Sequence, residues 1–148
     1  MKRYVALAAA LCVGVVLGGW VFSRSIPRSF LAVSECSGSC YRPNDLVGLL
    51  ASAGIQQASP VIPAVGESNE CIAIRHPKPE GRVHLVLFPK RDVRNVLELQ
   101  PEDGPYVLGC FALARKLTDL EGVRNYRLLT NGPALQHATY LHFHVIAK

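Results

Sequence analysis

Near its C-terminus the chain reads Tyr140-Leu141-His142-Phe143-His144-Val145-Ile146. An alternation of this kind predicts a strand, and successive side chains of a strand point to opposite faces. Leu141, Phe143 and Val145 are then expected in the core. Tyr140, His142 and His144 are expected in a row on the other face. Two imidazoles on one open face have no packing role of their own. They can supply a nucleophile, an acid or base near neutral pH, or ligands for a metal. Two merely solvated histidines would give the same bare motif. The surroundings add to it. His84 lies on an upstream strand, residues 82–88, opposite a stripe of Val83, Leu85 and Leu87, and Pro89-Lys90 ends that strand. A polar loop with Asn131, Gly132, Gln136 and His137 leads into the last strand.

The elements that must position these residues predict an α+β fold: an antiparallel sheet with one long helix packed on one face, preceded by a transmembrane helix. The long helix spans residues 101–119, with Val107, Cys110, Phe111, Ala114 and Leu117 at helical spacing. Glu102 and Asp103 suit its N-terminal dipole and Arg115 and Lys116 its C-terminal end, and Gly122 stops it. Strands are predicted at 70–75, 82–88, 125–130 and 138–147, and short connections favour antiparallel pairing. A shorter helix covers 45–53, with Asn44 as its N-cap and Gly54 at its end.

Residues 5–22 form an uncharged stretch of 18 residues, long enough to cross a bilayer. Lys2 and Arg3 precede it and hold the N-terminus inside, Arg24 and Arg28 follow it, and Trp20 and Phe22 mark its far interface. A cleaved signal peptide is the competing reading. Val21-Phe22-Ser23-Arg24 offers no small-x-small cleavage site, so a retained single-pass anchor is preferred. Gly14 and Gly18 form a GxxxG pattern that is compatible with helix pairing. The organisation expected is a cytoplasmic N-terminus at 1–4, the anchor at 5–22, a linker with a short helical extension at 23–64, and a domain at 65–148 on the exported, periplasmic or extracellular, side. The formal net charge is +5; without Lys2, Arg3 and Arg24 the 13 remaining basic and 11 acidic residues leave +2. No basic stripe with interleaved aromatics appears, which argues against a nucleic-acid partner.

Export permits disulfides. Cys36 and Cys40 read as a short bridge or half a zinc site, although no second pair with zinc-finger spacing follows. Cys71 and Cys110 sit in apolar runs and read as buried core thiols, not as a bridge. Arg75, Arg91 and Arg94 read as solvated.

The segments CIAIRHP, VHLVLFPK, YRLLTNGPALQ and YLHFHVIAK, with the helix between them, resemble the histidine-triad (HIT) family over residues 65–148. The resemblance implies a hydrolase or nucleotidyl transferase that cleaves a phosphoanhydride or related phosphate bond, with no metal or other cofactor. His142 matches the nucleophile that forms a nucleotidyl-histidine intermediate. His144 and His84 match histidines that hold protons and orient the site, and Asn131 and Gln136 match polar loop residues near the phosphate. Tyr140 stands where the first triad histidine belongs. His137 stands where many members carry Ser or Thr, and both residues are placed on the substrate side. The family's ribose-binding carboxylate would fall near His76. Family members commonly pair as homodimers. An N-terminal membrane helix with cysteines ahead of the core is also the layout of HIT-like CDP-diacylglycerol pyrophosphatases. The substrate expected is therefore a phosphate-containing small molecule or a lipid-linked nucleotide. The alternatives are an inactive binding protein on the same fold, or a metal centre made by His84, His142 and His144.

Overall fold

The computed structural model describes residues 2–26, 28, 43–57 and 63–148. Cys36 and Cys40 lie outside them. Helix α1 (Lys2–Phe22) is 21 residues of mainly Ala, Val, Leu and Gly, exposed along its length and apolar enough to cross a membrane. At 1.5 Å per residue it is about 31 Å long, close to the hydrocarbon thickness of a bilayer.

Five strands follow: β1 (Ala64–Glu67), β2 (Cys71–Arg75), β3 (Val83–Pro89), β4 (Arg127–Leu129) and β5 (Phe143–Ala147). They form one antiparallel sheet in the order β1-β2-β3-β5-β4. The long helix α3 (Gly104–Leu120) packs across β2 and β3. Cys110, Leu113, Ala114 and Leu117 from α3 meet Cys71, Ala73, Leu85, Leu87, Phe143 and Val145 from the sheet. The alternation in β3 and β5 thus places its apolar stripe as the sequence predicts. Gly122, at φ +64°, takes the left-handed conformation that ends the helix with little steric cost. The predicted start of α3 is refined. Residues Pro101–Asp103 are a 3-10 turn, capped by the Asp103 carboxylate accepting from the Gln100 N–H at 2.9 Å.

Two strands differ from expectation. β1 is not apparent in the sequence, because only Ala64 and Val65 in it are apolar. It reaches α3 because Gly66 has no side chain: an added Cβ would lie 3.1–3.2 Å from Leu117 and Leu113. β5 begins at Phe143, not near Ala138. The Leu141 N–H is donated to Val93 O at 2.7 Å, which draws the chain away from the strand ladder before His142.

Cys71 and Cys110 form a disulfide, which corrects their assignment as free core thiols. Their apolar surroundings are real, since both are fully buried. The bridge ties β2 to α3 across 39 residues of sequence, with Cα atoms 5.1 Å apart. Closing a loop of that length removes unfolded-state entropy worth up to about 4 kcal/mol. Cys71→Ser/Cys110→Ser is expected to lower unfolding free energy by about 2–4 kcal/mol, read from denaturant midpoints against the oxidised chain.

Helix α2 (Pro43–Gln57) lies on the sheet face opposite α3, where Ala51 and Ile55 pack with Ile72, Phe88 and Tyr140. Asn44 is the second residue of α2 and not its cap. Its amide donates to Gln136 O at 2.9 Å. Close approach at this end needs Gly48, where an added Cβ would stand 2.4 Å from Thr139 Oγ1.

The stretch after α1 is not a solvated linker at Arg28. Its guanidinium is buried and makes a two-pronged ion pair with Asp92, Nη1 to Oδ2 at 2.9 Å and Nη2 to Oδ1 at 2.7 Å. Nη2 also donates to Thr139 O at 2.8 Å, while Ser52 Oγ and the Ile26 N–H donate to Asp92. The segment behind the apolar helix is thereby latched to α2 and to the loop after β3.

Candidate active site

β3 and β5 are register partners, with Val86 opposite His144 and Leu87 opposite Phe143. Side chains two apart share a face, so His84 and His144 lie on the face away from α3. His142, just ahead of β5, continues the row. Three contacts fix these rings. His142 Nδ1 lies 2.6 Å from Tyr140 O, an acceptor, so Nδ1 carries the proton and Nε2 keeps its lone pair. The Glu80 N–H donates to His84 Nδ1 at 3.2 Å, so His84 carries its proton on Nε2. That nitrogen faces His144 Nδ1 at 3.0 Å, which leaves the proton of His144 on Nε2. His144 Nε2 is buried without a partner among the described residues. The rings of His142 and His144 lie edge to face, 5.0 Å apart. The site therefore pairs a free imidazole lone pair with an N–H donor on the next ring.

Electrostatics keep these rings neutral. Burial, reinforced by His142, His84 and His76, pushes His144 down to about 4. Burial also lowers His142, against the hydrogen bond to Tyr140 O, which raises it, and with smaller lowering by His137 and His76. His84 is lowered by burial first, then by His76, with Glu80 opposing. At neutral pH the nucleophilic form of His142 is the populated one. Linkage gives the sign for stability. A histidine held below its ordinary value of about 6.5 binds protons less readily folded than unfolded. Its contribution is fully present above that value and is lost as pH falls toward about 4, the value for His144. The unfolding midpoint is expected to drop across that window. His144→Gln should flatten the drop, and an unchanged slope would exclude His144 as its source.

His76, absent from the expected set of histidines, joins them. It stacks flat on His84, with centroids 4.1 Å apart and planes within 5°. The sequence does hold the signal: the hairpin of β2 and β3 pairs the His76 N–H with His84 O at 2.9 Å, so the two residues meet across the turn.

Tyr140 is placed differently from the prediction. It does lie on the histidine side of the sheet, but beneath α2 and fully buried. Its hydroxyl donates to Pro89 O at 2.5 Å and also contacts Arg91 O at 3.2 Å. Burial and the nearby Asp92 push the phenol well above its ordinary value, opposed by Arg28. The side chain braces the loop after β3, and the residue serves the site through its carbonyl. Tyr140→Phe should cost about 1–3 kcal/mol, the loss of a donor to buried carbonyls. It should leave the His142 hydrogen bond intact, which unfolding curves and histidine NMR shifts together would show.

The polar loop is less closely joined to the histidines. His137 is exposed, near enough to act on His142 electrostatically. Asn131 is half-buried, with no side-chain hydrogen bond among the described residues. Gln136 is buried and lines a cleft with Asp45, Arg94 and Asn95; its Nε2 has no partner among the described residues. None of the described polar contacts links either amide to His142. The arginines read as solvated are paired: Arg75 with Glu121, Arg91 with Asp103, Arg94 with Glu98. The three-histidine metal centre does not form either. His84 and His144 spend facing nitrogens on each other, and among the described residues no three His, Cys, Asp or Glu side chains are grouped to hold an ion.

Comparison with known proteins bears on the family and the fold. The family described as the scavenger mRNA decapping enzyme C-terminal binding region matches residues 53–148. A HIT-like protein of Synechococcus elongatus is 32% identical over 90 residues, 57% of this chain and 79% of its own length. The crystal structure of a HIT family hydrolase from Legionella pneumophila superposes with a TM-score of 0.57 at 26% identity, covering 63% of this chain and 88% of that one. A HIT family hydrolase from Clostridium thermocellum shares the fold at a TM-score of 0.57 and 24% identity, covering 64% of this chain and 87% of that one. The chain belongs to the histidine-triad family.

Proposed function

We propose that the protein is a membrane-anchored HIT-type hydrolase or nucleotidyl transferase, which cleaves a phosphoanhydride or related bond through His142. The observation that carries this reading is the 2.6 Å contact of His142 Nδ1 with Tyr140 O, which leaves Nε2 free to attack. In the first step the Nε2 lone pair bonds to phosphorus while the bond from phosphorus to the leaving oxygen breaks. The departing oxygen leaves with the bonding electron pair and takes its proton from solvent, with His144 Nε2–H available to hydrogen-bond it and His84 holding the His144 ring through the 3.0 Å contact. In the second step water displaces the histidine. Splitting one displacement into two lowers each barrier. Asn131, Gln136 and His137 are assigned to the phosphate side, as the family resemblance implies.

The anchor reading rests on α1, and the exported side on the Cys71–Cys110 bridge, because disulfides persist in oxidising compartments. The substrate would be a nucleotide or a lipid-linked nucleotide, and two copies would pair as the family resemblance implies. The test uses the full chain in detergent with a dinucleoside polyphosphate, an adenosine phosphoramidate and CDP-diacylglycerol, following release of nucleoside monophosphate. Turnover of any of these supports the enzyme. A folded chain that binds nucleotide but turns over none favours a binding protein on the same fold.

A further inference from the structure

One cleft lies away from the histidines. It has a volume of about 640 Å³ and is lined by Arg24 and Ile26 from behind α1, Gln56 of α2, the loop from Lys90 to Arg94, and Glu98, Gln100, Asp103 and Tyr106. Arg24 is only two residues beyond the end of the apolar helix. The Arg28–Asp92 latch holds the Lys90–Arg94 loop against this same segment. With α1 in a bilayer, the cleft opens at the depth of the lipid headgroups.

Its polar atoms are out of balance. Each of the three carboxylates is already paired. Asp92 takes both prongs of Arg28 as well as Ser52 and the Ile26 N–H. Asp103 takes the Gln100 N–H and Arg91, and Glu98 takes Arg94 and Asn95. The donors are in surplus. Arg91 and Arg94 each pair through Nε alone, so both terminal nitrogens of each fork are uncommitted among the described residues. The Arg24 guanidinium has no partner among the described residues, and Lys90 is held only by Glu67 at 2.5 Å. Guanidinium forks facing a cleft whose carboxylates are each already paired match a tetrahedral oxyanion, which can accept several N–H bonds at once.

We propose that this cleft binds a phosphate group presented by an anionic lipid headgroup, at a site separate from His142. The inference rests on the anchor part of the proposed function and not on its chemistry. The full chain in detergent is titrated calorimetrically with dihexanoyl phosphatidylglycerol, dihexanoyl phosphatidylcholine and inorganic phosphate. Phosphatidylglycerol should bind at least tenfold tighter than phosphatidylcholine, and Arg24→Gln/Arg94→Gln should lose at least tenfold of that affinity. His142→Ala should bind it as the parent does. Inorganic phosphate binding as tightly as phosphatidylglycerol, and lost in the double variant, would support the phosphate site and place its ligand in solution. Equal affinity for the two lipids, an unaffected double variant, or loss of binding in His142→Ala would each overturn the proposal. Carbonate extraction of membranes, run in parallel, separates failure of the anchor from failure of the cleft.

Discussion

His142→Ala is expected to lower turnover by on the order of 10⁴-fold or more, the scale on which removal of a nucleophile acts. Neither His144 nor His84 can take over. His144 has its Nδ1 committed to His84 and presents a proton at Nε2. His84 faces His144 on one side and the Glu80 N–H on the other. The loss should fall on kcat with little change in KM, because His142 contributes a bond made only during reaction. The substitution removes a buried ring and a single side-chain hydrogen bond, to Tyr140 O, so circular dichroism of the variant is compared with the parent before its rate is read. Acid-quenched single turnovers with labelled substrate should trap a phosphorus–nitrogen adduct on the parent and none on the variant. Equal rates in the two proteins would remove His142 from the chemistry.

Asp92→Ala should be the most damaging single change to stability, costing about 3–5 kcal/mol. It leaves the Arg28 guanidinium buried without its carboxylate, and the Ser52 hydroxyl and Ile26 N–H without their acceptor. The penalty is that of an uncompensated buried charge, so removing both partners should be milder. Arg28→Met/Asp92→Leu is expected to recover most of the loss, because burying an ion pair is itself expensive. Urea unfolding of the parent, Arg28→Met, Asp92→Leu and the double variant in one detergent closes the cycle. A single variant within about 1 kcal/mol of the parent would mean that the pair is solvated. The effect reaches the histidines by a short path. Arg28 holds Thr139 O, and the next residue supplies the carbonyl on which His142 hangs.

The parts of this architecture governed by local pattern were legible in the sequence. The Val83-Leu85-Leu87 stripe, the spacing of Cys110, Ala114 and Leu117, and the alternation through His144 each state which side faces inward. What escaped depends on contacts between distant segments. Arg28 reads as an exposed flank because its partner lies 64 positions away. Cys71 and Cys110 look like ordinary core residues until β2 is laid against α3. Tyr140 obeys the strand alternation, yet α2 covers it, and nothing in either segment alone announces that cover. His76 stood beside a proline and reads as a loop residue, whereas hairpin register brings it onto His84.

The latch also sets a reach. Five residues lie between Phe22 and Arg28, and even fully extended the six steps span at most about 22 Å. A freely hinged domain on the longer stretch up to α2 would sweep a hemisphere. Under the proposed anchoring of α1, a domain held at Arg28 is confined to a thin layer along the bilayer. A substrate dissolved in the surrounding medium gains nothing from that confinement and meets the protein at its bulk concentration. A substrate held in the same membrane shares the layer, where the effective concentration of tethered partners reaches the millimolar range. The search then becomes nearly two-dimensional, and the anchored chain should outpace a chain lacking α1 on membrane-borne substrates alone.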